Sequence, residues 1–230
     1  MTLLDSGADT PEPTPTQPTQ PTRNNWDDLE REALACTKCP LATQGRTQVV
    51  FGVGSRDADL VFVGEGPGAE EDKQGIPFVG RAGQLLTRLI ADIGMTRDDV
   101  YIANVVKCRP PGNRDPQPIE IETCRPYLEA QLELLAPRVI VTLGNFATKL
   151  LLDTKEGITK LRGQERSYAI AAHQGSGSEE DGVHKPYTAT LVPTLHPSAV
   201  LRNGGAALAQ TRADFVVAKR ALTRARSTSE

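Results

Sequence analysis

The stretch Asp59-Leu60-Val61-Phe62-Val63-Gly64 is a short apolar run, and the glycine-rich loop Glu65-Gly66-Pro67-Gly68 follows it directly. Apolar runs of this length are typical of strands that are buried on both faces of a parallel sheet. Similar runs, including one candidate edge strand, occur at residues 100–106, 138–143, 167–171 and 188–194. Between the runs lie helix-length amphipathic segments, at residues 82–93, 119–135, 146–152 and 209–224. This alternation predicts an α/β protein whose sheet is flanked by helices.

The composition is that of an ordinary soluble protein. The chain has 230 residues, of which 38% are hydrophobic and 24% are charged, which fits one domain with appendages. No stretch approaches the roughly 20 apolar residues of a membrane span, so we expect no membrane embedding. The N-terminus has neither a basic segment nor a long apolar run, so it does not resemble a secretory signal. The expected compartment is therefore the cytoplasm.

The formal net charge of −3 argues, taken alone, against a nucleic-acid-binding protein. However, two segments without apolar periodicity carry −2 each: residues 1–25, rich in Pro and Thr, and residues 172–187, rich in Gly and Ser. We expect the first to be a disordered tail and the second to be a polar loop inserted in a single domain of residues 26–226. The remainder of the chain carries +1, and the C-terminal stretch 219–226 is basic.

The chain has four cysteines, Cys36, Cys39, Cys108 and Cys124. In a reducing compartment, four thiols favour a metal, a cluster or core packing over disulfides. The spacing lacks the second C-x2-C knuckle that structural zinc sites usually have. Four thiolates also match a [4Fe–4S] cluster, whose ligands are often followed closely by proline, as Cys39, Cys108 and Cys124 are here. Cys124 lies on an apolar helical stripe and Cys108 follows a buried strand, so spacing alone leaves a cluster, zinc and core packing open.

Three polar residues follow predicted strands at the points where those strands end: Glu65, Asn104 and His196. The carboxyl ends of parallel strands meet at one edge of a sheet, where open α/β sheets bind ligands. The glycine-rich loop matches neither the P-loop nor the dinucleotide fingerprint, so a plain turn also fits it. Asn104 offers the donor and acceptor that read the edge of a planar heterocycle, and Phe78 offers a ring for stacking. Each of these residues taken alone also has a purely structural explanation, as has Ser198, which would cap a helix. The binding site is therefore predicted from the convergence of several such residues at one edge of the sheet.

Six blocks of the sequence resemble, in order, the motifs of one known family: residues 36–41, 46–54, 64–72, 75–83, 104–114 and 196–198. They include Gly64-Glu65-Gly66-Pro67-Gly68, Asn104-Val105-Val106-Lys107-Cys108-Arg109-Pro110 and His196-Pro197-Ser198. Together they resemble the family 4 uracil-DNA glycosylases, the iron–sulfur type, over residues 30–222. The resemblance implies a three-layer α/β/α sandwich with a central four-stranded parallel sheet. It also implies a [4Fe–4S] cluster held by all four cysteines.

The resemblance further implies a role for each residue of the predicted site. Phe78 is expected to stack on the uracil ring, Asn104 to hydrogen-bond its pyrimidine edge, and His196 to donate to the uracil oxygen that gains charge. Glu65 is expected to act in catalysis together with Asn104 and His196. The substrate is also expected to contact Gly66, Gly68 and Ser198.

The implied function is that of a monofunctional DNA glycosylase, which removes uracil from single- or double-stranded DNA and leaves an abasic site for base excision repair. We expect a monomer. A related branch traps DNA covalently through a histidine, and residues 110–116, at the corresponding place, contain none. Many glycosylases position water with an Asp or Asn where this chain has Gly66. This leaves Glu65, Asp72 or backbone groups to hold the water, or substrate phosphates to stabilise the cationic sugar instead.

The basic residues near the last two cysteines are expected to face DNA phosphates: Lys107, Arg109, Arg114 and Arg125. Two rival functions compete with the glycosylase. A DNA-binding module that senses redox state through its cluster would need the basic residues but neither His196 nor Phe78. A nucleotide-binding enzyme would need a phosphate-binding lysine, which the glycine-rich loop lacks.

Overall fold

A computed structural model describes residues 25–170 and 187–228 of the chain. The predicted tail and the predicted polar insertion lie outside the described residues, apart from Asn25 and Tyr187 at their boundaries. Asn25 belongs to the folded part, because its side chain accepts a hydrogen bond from the main-chain N–H of Asp28 and caps the first helix. Within the described ranges, no helix has the length and apolar character needed to cross a bilayer.

One mixed sheet of six strands forms the centre of the described structure, in the order β1-β3-β2-β4-β6-β5. The four central strands are parallel, and the two edge strands run antiparallel to their neighbours. Their bounds are β1 (Val53–Gly54), β2 (Leu60–Gly64), β3 (Tyr101–Asn104), β4 (Val139–Leu143), β5 (Arg166–Ile170) and β6 (Tyr187–Thr194). The sheet therefore has six strands, whereas the prediction was a central sheet of four parallel strands with a candidate edge strand at residues 167–171, which corresponds to β5. The sequence pattern missed β1 because two residues cannot show an alternation.

Eight α-helices surround this sheet within the described residues: α1 (Trp26–Leu34), α2 (Ala69–Gln74), α3 (Arg81–Asp92), α4 (Pro118–Leu135), α5 (Asn145–Leu152), α6 (Ile158–Leu161), α7 (Pro197–Asn203) and α8 (Gly205–Ser227). Short 3-10 helices occur at Pro40–Ala42, Arg97–Asp99 and Pro111–Asn113. The four predicted helices correspond to α3, α4, α5 and α8. The alternative explanation of Ser198 as a helix cap is wrong, because His196 occupies the N-cap position of α7.

The strand β2 shows how the sheet separates two cores. Val61 and Val63 face the core formed with α1, α4 and α5, whereas Leu60 and Phe62 face the core formed with α3, α7 and α8. Successive strand residues point to opposite faces, so a continuous apolar run fills both cores. The helices thus form one layer on each side of the sheet, which confirms the α/β/α sandwich. The four parallel strands end at one common edge, where Gly64 pairs with Asn104.

Candidate active site

A cavity of about 610 Å³ lies beyond the carboxyl ends of the four parallel strands. It is lined by every residue that the sequence placed in the site: Glu65, Gly66, Gly68, Phe78, Asn104, His196 and Ser198. The loops after β2, β3 and β6 supply most of them, as expected for an open α/β sheet. The cavity is large enough for a nucleotide unit rather than a single ion.

Asn104 forms the floor of the cavity at the end of β3 and is 2% exposed. Its Oδ1 atom is buried and has no hydrogen-bond partner among the described residues. A buried acceptor without a partner costs about 1–3 kcal/mol, so this oxygen favours a ligand that brings an N–H group. Gly64 makes room for it, because a Cβ at that position would overlap Oδ1 of Asn104 and come within 2.5 Å of the Phe78 ring.

Phe78 forms one wall of the cavity from a strained backbone conformation. Its φ is 55°, in the left-handed region that bulky residues rarely adopt, and its side chain is 5% exposed. The guanidinium of Arg97 donates to the main-chain carbonyls of Pro77 at 2.8 Å and Phe78 at 3.1 Å. A Cβ at Gly83 would overlap the carbonyl of Phe78, so glycine is required there for close packing. These contacts fix the orientation of the ring.

Glu71 holds the next two residues of the same loop. Its Oε1 atom accepts hydrogen bonds from the main-chain N–H groups of Val79 at 3.1 Å and Gly80 at 3.0 Å. Gly68 allows this arrangement, since a Cβ there would lie 2.7 Å from the other carboxylate oxygen of Glu71. The glycine-rich loop after β2 and the Phe78 loop are thus joined through a single carboxylate.

His196 faces Phe78 across the cavity, with ring centroids 5.8 Å apart and planes inclined at 37°. Its Nδ1 atom accepts a hydrogen bond from the main-chain N–H of Ser198 at 3.2 Å, so the ring proton of the neutral imidazole lies on Nε2. Burial, with a smaller contribution from the charge of Arg202, lowers the pKa of His196 to about 4. The imidazole is therefore neutral at pH 7 and can donate one hydrogen bond.

Glu65 is a half-buried carboxyl group at the start of the glycine-rich loop. Burial raises its pKa to about 7, and the negative charge of Asp115 adds to the increase. A carboxyl group with this pKa exchanges a proton readily near neutral pH, which suits a general base. Gly66 keeps the loop close to β3, because a Cβ there would lie 2.7 Å from a methyl group of Val106.

The four cysteines line a second, small cavity on the side of the sheet covered by α1 and α4. Cys36 and Cys39 come from the segment after α1, Cys108 from the loop after β3, and Cys124 from α4. All four are free thiols. Among the described residues, no group of three or more His, Cys, Asp or Glu is spaced to hold a single metal ion. The four thiols thus converge on one space.

Nitrogen donors point at two of these sulfur atoms. Nη1 of Arg46 donates to Sγ of Cys108 at 2.9 Å, and the main-chain N–H of Lys107 donates to Sγ of Cys124 at 3.2 Å. Burial raises the pKa of Cys124 to about 12 and also raises the pKa of Cys108, so deprotonating both thiols here requires added positive charge. Bound metal supplies such charge, and N–H donors to sulfur are typical of iron–sulfur sites.

Comparison with known proteins identifies the family of this fold and cavity. A sequence model of the uracil DNA glycosylase superfamily matches residues 51–223. The chain is similar to the type-4 uracil-DNA glycosylase of Thermotoga maritima, with 49% identity over 169 residues, 73% of this chain and 79% of that protein. It is 44% identical to the type-4 enzyme of Sulfurisphaera tokodaii over 185 residues, 78% of this chain and 77% of that protein. The chain belongs to the type-4 uracil-DNA glycosylases.

A third relative, the type-4 uracil-DNA glycosylase of Archaeoglobus fulgidus, is 54% identical over 127 residues, 55% of this chain and 63% of that protein. The superfamily match begins at residue 51, so it contains Cys108 and Cys124 but neither Cys36 nor Cys39. In this type-4 uracil-DNA glycosylase, the N-terminal half of the cysteine site therefore lies before the part shared with the whole superfamily.

Several further residues line the cavity that were not predicted from the sequence, among them Asn145, Arg202 and Asp115. Asn145 could have been found, because it lies directly beyond the end of β4, where the same rule places ligand-binding residues. Its Oδ1 accepts the main-chain N–H of Ile158 at 2.9 Å, so it also closes the loop between α5 and α6. Arg202 and Asp115 lie in a helix and a loop, and only the folded structure brings them to the cavity.

The basic residues that were expected to face DNA differ from one another in their exposure and in their hydrogen-bond partners. Lys107 is 2% exposed, so the prediction that it contacts phosphates is wrong. Arg114 forms a salt bridge with the fully buried Glu120 at 2.6 Å, and Arg125 pairs with Glu129 at 2.7 Å. Arg109 donates to Oδ1 of Asn113 at 2.7 Å. A lysine beside arginines looks like part of a basic surface, and only tertiary packing shows that it is buried.

Proposed function

We propose that this type-4 uracil-DNA glycosylase hydrolyses the bond between uracil and deoxyribose in DNA, and so leaves an abasic site for base excision repair. The observation that carries the proposal is the unpartnered Oδ1 atom of Asn104, buried at the floor of a cavity between the rings of Phe78 and His196. A planar base with an N–H group beside a carbonyl fits such a pocket. Uracil has this arrangement at N3 and O4.

Recognition of uracil follows from the two atoms of the Asn104 amide. Oδ1 accepts the N3–H of uracil, and the amide nitrogen donates to O4. Cytosine presents an amino group and an unprotonated N3 at these positions, so the same amide meets it with mismatched donors and acceptors. Phe78 stacks against the base, which helps to offset the few kcal/mol needed to flip a nucleotide out of the helix.

His196 stabilises the leaving group. When the bond from C1′ to N1 breaks, its electron pair moves to the uracil ring, and negative charge develops on O2. The Nε2–H of His196 donates to that oxygen, and because the imidazole is neutral it stabilises the charge without an ionic cost in the free enzyme. The interaction is stronger in the transition state than in the ground state, which is the condition for catalysis.

Glu65 is the residue that best fits the role of activating water. Its carboxylate accepts a proton as the water oxygen attacks C1′, and its negative charge also stabilises the cationic sugar. The competing candidate Asp72 is buried, and both of its carboxylate oxygens accept the main-chain N–H of Thr47, at 2.9 and 3.0 Å. Asp72 thus supports the loop, and the contacts favour Glu65.

We also propose that Cys36, Cys39, Cys108 and Cys124 hold a [4Fe–4S] cluster. The four thiols line one small cavity, and their spacing in the sequence lacks the second C-x2-C knuckle that structural zinc sites usually have. The donors from Arg46 and Lys107 to the sulfur atoms fit thiolate ligands better than inert core cysteines. When bound, the cluster supplies structural order to the segments that carry the cysteines rather than a step of the hydrolysis.

The decisive experiment incubates the purified protein with an oligonucleotide containing one uracil, in single- and double-stranded form, and then treats the DNA with alkali. We expect strand cleavage at the uracil and none in a matched oligonucleotide that contains thymine. Binding without cleavage at all salt concentrations would instead indicate the DNA-binding module. A monomeric state and a cytoplasmic location remain predictions, which gel filtration and cell fractionation can test.

A further inference from the structure

Lys107 is a buried cation that the catalytic scheme does not use. Its side chain is fully enclosed, and Nζ donates to the main-chain carbonyl of Asn104 at 3.0 Å and to Oε1 of Gln131. Nζ also lies 6.0 Å from the centre of the Phe51 ring. Gln131 is held in turn, since its amide nitrogen donates to the carbonyl of Phe51 at 3.0 Å. Lys107 thus holds the main chain of Asn104, the residue that hydrogen-bonds the base in the proposed function.

The main chain of the same residue belongs to the cysteine site. The N–H of Lys107 donates to Sγ of Cys124 at 3.2 Å, and Cys108 is the next residue. Its carbonyl accepts the N–H of Val50 at 2.8 Å, which fixes the backbone at this point. One residue therefore contacts both the sulfur ligands and Asn104, which ends β3 at the floor of the active-site cavity.

The ammonium group of Lys107 is both charged and buried, so its charge needs a compensating interaction. A buried ammonium needs an opposite charge or full hydrogen bonding to offset the loss of hydration. In the described ranges, Lys107 forms no salt bridge with a carboxylate, whereas its main-chain N–H donates to Sγ of Cys124 at 3.2 Å and Cys108 is the next residue. Arg46 is the other cation at these thiols, and its Nη1 donates to Sγ of Cys108 at 2.9 Å. Thiolates that bind a cluster therefore supply the anion for Lys107.

We infer that Lys107 is a positioning residue that couples occupancy of the four-cysteine site to the placement of Asn104 in the uracil pocket. The inference rests on the proposed function, because it concerns the same pocket. A loaded site holds Lys107 through charge and through its main chain, and Lys107 then fixes the carbonyl of Asn104. Coupling between two sites is reciprocal, so uracil in the pocket must also stabilise the loaded cysteine site.

The first test is a double-mutant cycle with Lys107→Met and Asn104→Ala. Methionine keeps the length of the apolar stem and removes the donors to Asn104. We expect Lys107→Met to bind uracil-containing DNA as the wild type does and to lower kcat about tenfold, with no further loss when it is added to Asn104→Ala. Lys160→Met, an exposed change on α6, serves as the control and leaves kcat unchanged. Losses that multiply in the double mutant would show that Lys107 acts independently of Asn104 and would overturn the inference.

The second test measures the cluster rather than the reaction. A chelator is added to the iron-loaded protein, and the decay of visible absorbance is followed with and without free uracil. We expect uracil to slow the decay severalfold in the wild type and to have no effect in Lys107→Met. Equal protection in both proteins, or wild-type protein purified without iron, would overturn the coupling.

If Lys107→Met does not fold, Gln131→Leu replaces it in both experiments. This variant leaves the lysine in place and removes one of its two acceptors, so we expect a smaller loss of kcat that is again absent in the Asn104→Ala background. The experiments distinguish a failure of the coupling from a failure of the proposed function. Wild-type protein that cleaves uracil-containing DNA but shows independent losses retains its function and loses only the coupling, whereas wild-type protein that does not cleave contradicts the function itself.

Discussion

Nη1 of Arg97 donates a hydrogen bond of 3.1 Å to the main-chain carbonyl of Phe78. This contact crosses between two loops and holds a phenylalanine whose φ is 55°. A bulky residue in the left-handed region costs of the order of 1–3 kcal/mol, so the surrounding contacts must maintain it. The orientation of the stacking ring is therefore determined by a residue that does not line the cavity.

Replacing Arg97 by methionine should release the Phe78 loop. We expect kcat/KM for uracil-containing DNA to fall about tenfold, mainly through a higher KM, because stacking contributes to binding in both the ground state and the transition state. Steady-state kinetics measures this split. Arg88→Met, an exposed change on α3, is the matched control. A loss confined to kcat would contradict a role in stacking.

Gly64 should not tolerate a side chain. The extra methyl group of Gly64→Ala would overlap Oδ1 of Asn104 and press on the Phe78 ring, so we expect excision to fall at least a hundredfold. Overpacking costs about 1–3 kcal/mol, so the melting temperature should also decrease. Gly205→Ala has open space around its new methyl group and should change neither activity nor melting temperature. Full activity in Gly64→Ala would show that Asn104 and Phe78 do not act together.

The pH dependence of kcat/KM should report Glu65. Because burial raises its pKa to about 7 and the carboxylate is the reactive form, kcat/KM should rise with pH up to about 7 and level off above it. Asp115→Asn removes the negative charge that helps to raise this pKa, so the rise should move to lower pH. Glu65→Gln should abolish the rise and lower the plateau about a hundredfold. A profile unchanged by both substitutions would exclude Glu65 as the base.

Asn104→Ala and His196→Ala should each lower the rate of catalysis far more than the affinity for DNA. The DNA backbone contacts remain in both variants, so the Kd for uracil-containing DNA should change severalfold at most, whereas kcat should fall about 10²–10³-fold. His196 is neutral above its pKa of about 4, so it should produce no step in the profile between pH 5 and 8. Single-turnover kinetics and a binding titration measure the two effects. Parallel losses of both would indicate that these residues are structural.

The cysteine site should bind about four iron atoms per chain and give the protein a yellow-brown colour after aerobic purification. Cys124→Ser should lose iron and melt at a lower temperature, because this buried ligand lies on α4 between the site and the core. Iron and sulfide analysis together with calorimetry tests both expectations. Colourless protein with one zinc ion per chain would replace the cluster by a structural zinc site.

The strands and helices that could be predicted from the sequence are those with an apolar pattern over many residues. The runs that form β2, β4 and β6 and the stripe on α4 are continuous, so their type and order follow from periodicity. The helix α2 buries only Asp72 and has no apolar face, so no pattern reveals it. The strand β1 has two residues, and its pairing with β3 depends on tertiary context.

The candidate site also contains residues that could be predicted from the sequence and features that could not. Glu65, Asn104 and His196 could be assigned to one edge, because parallel strands end together there. The protonation of His196 and the burial of Lys107 could not be predicted, since both depend on partners that only folding brings near. The Gln131 side chain that meets Lys107, for example, lies 24 positions away along the chain.

The cysteine site also has a consequence for biosynthesis. Its proposed ligands extend from Cys36 to Cys124, so a growing chain cannot offer all four until Cys124 has left the ribosome. Completing the site closes three loops of chain, of which those from Cys39 to Cys108 and from Cys108 to Cys124 are the long ones, and removes conformational freedom from the unfolded state. Without it, α1 is held by its remaining contacts, which include the packing of Leu29 and Ala33 in the core and the edge-on contacts of the Trp26 ring with Phe51 and Tyr101. With the proposed cluster at this site, newly made protein that lacks iron should be cut first by proteases between Ala35 and Arg46, so the supply of iron would determine how much enzyme survives.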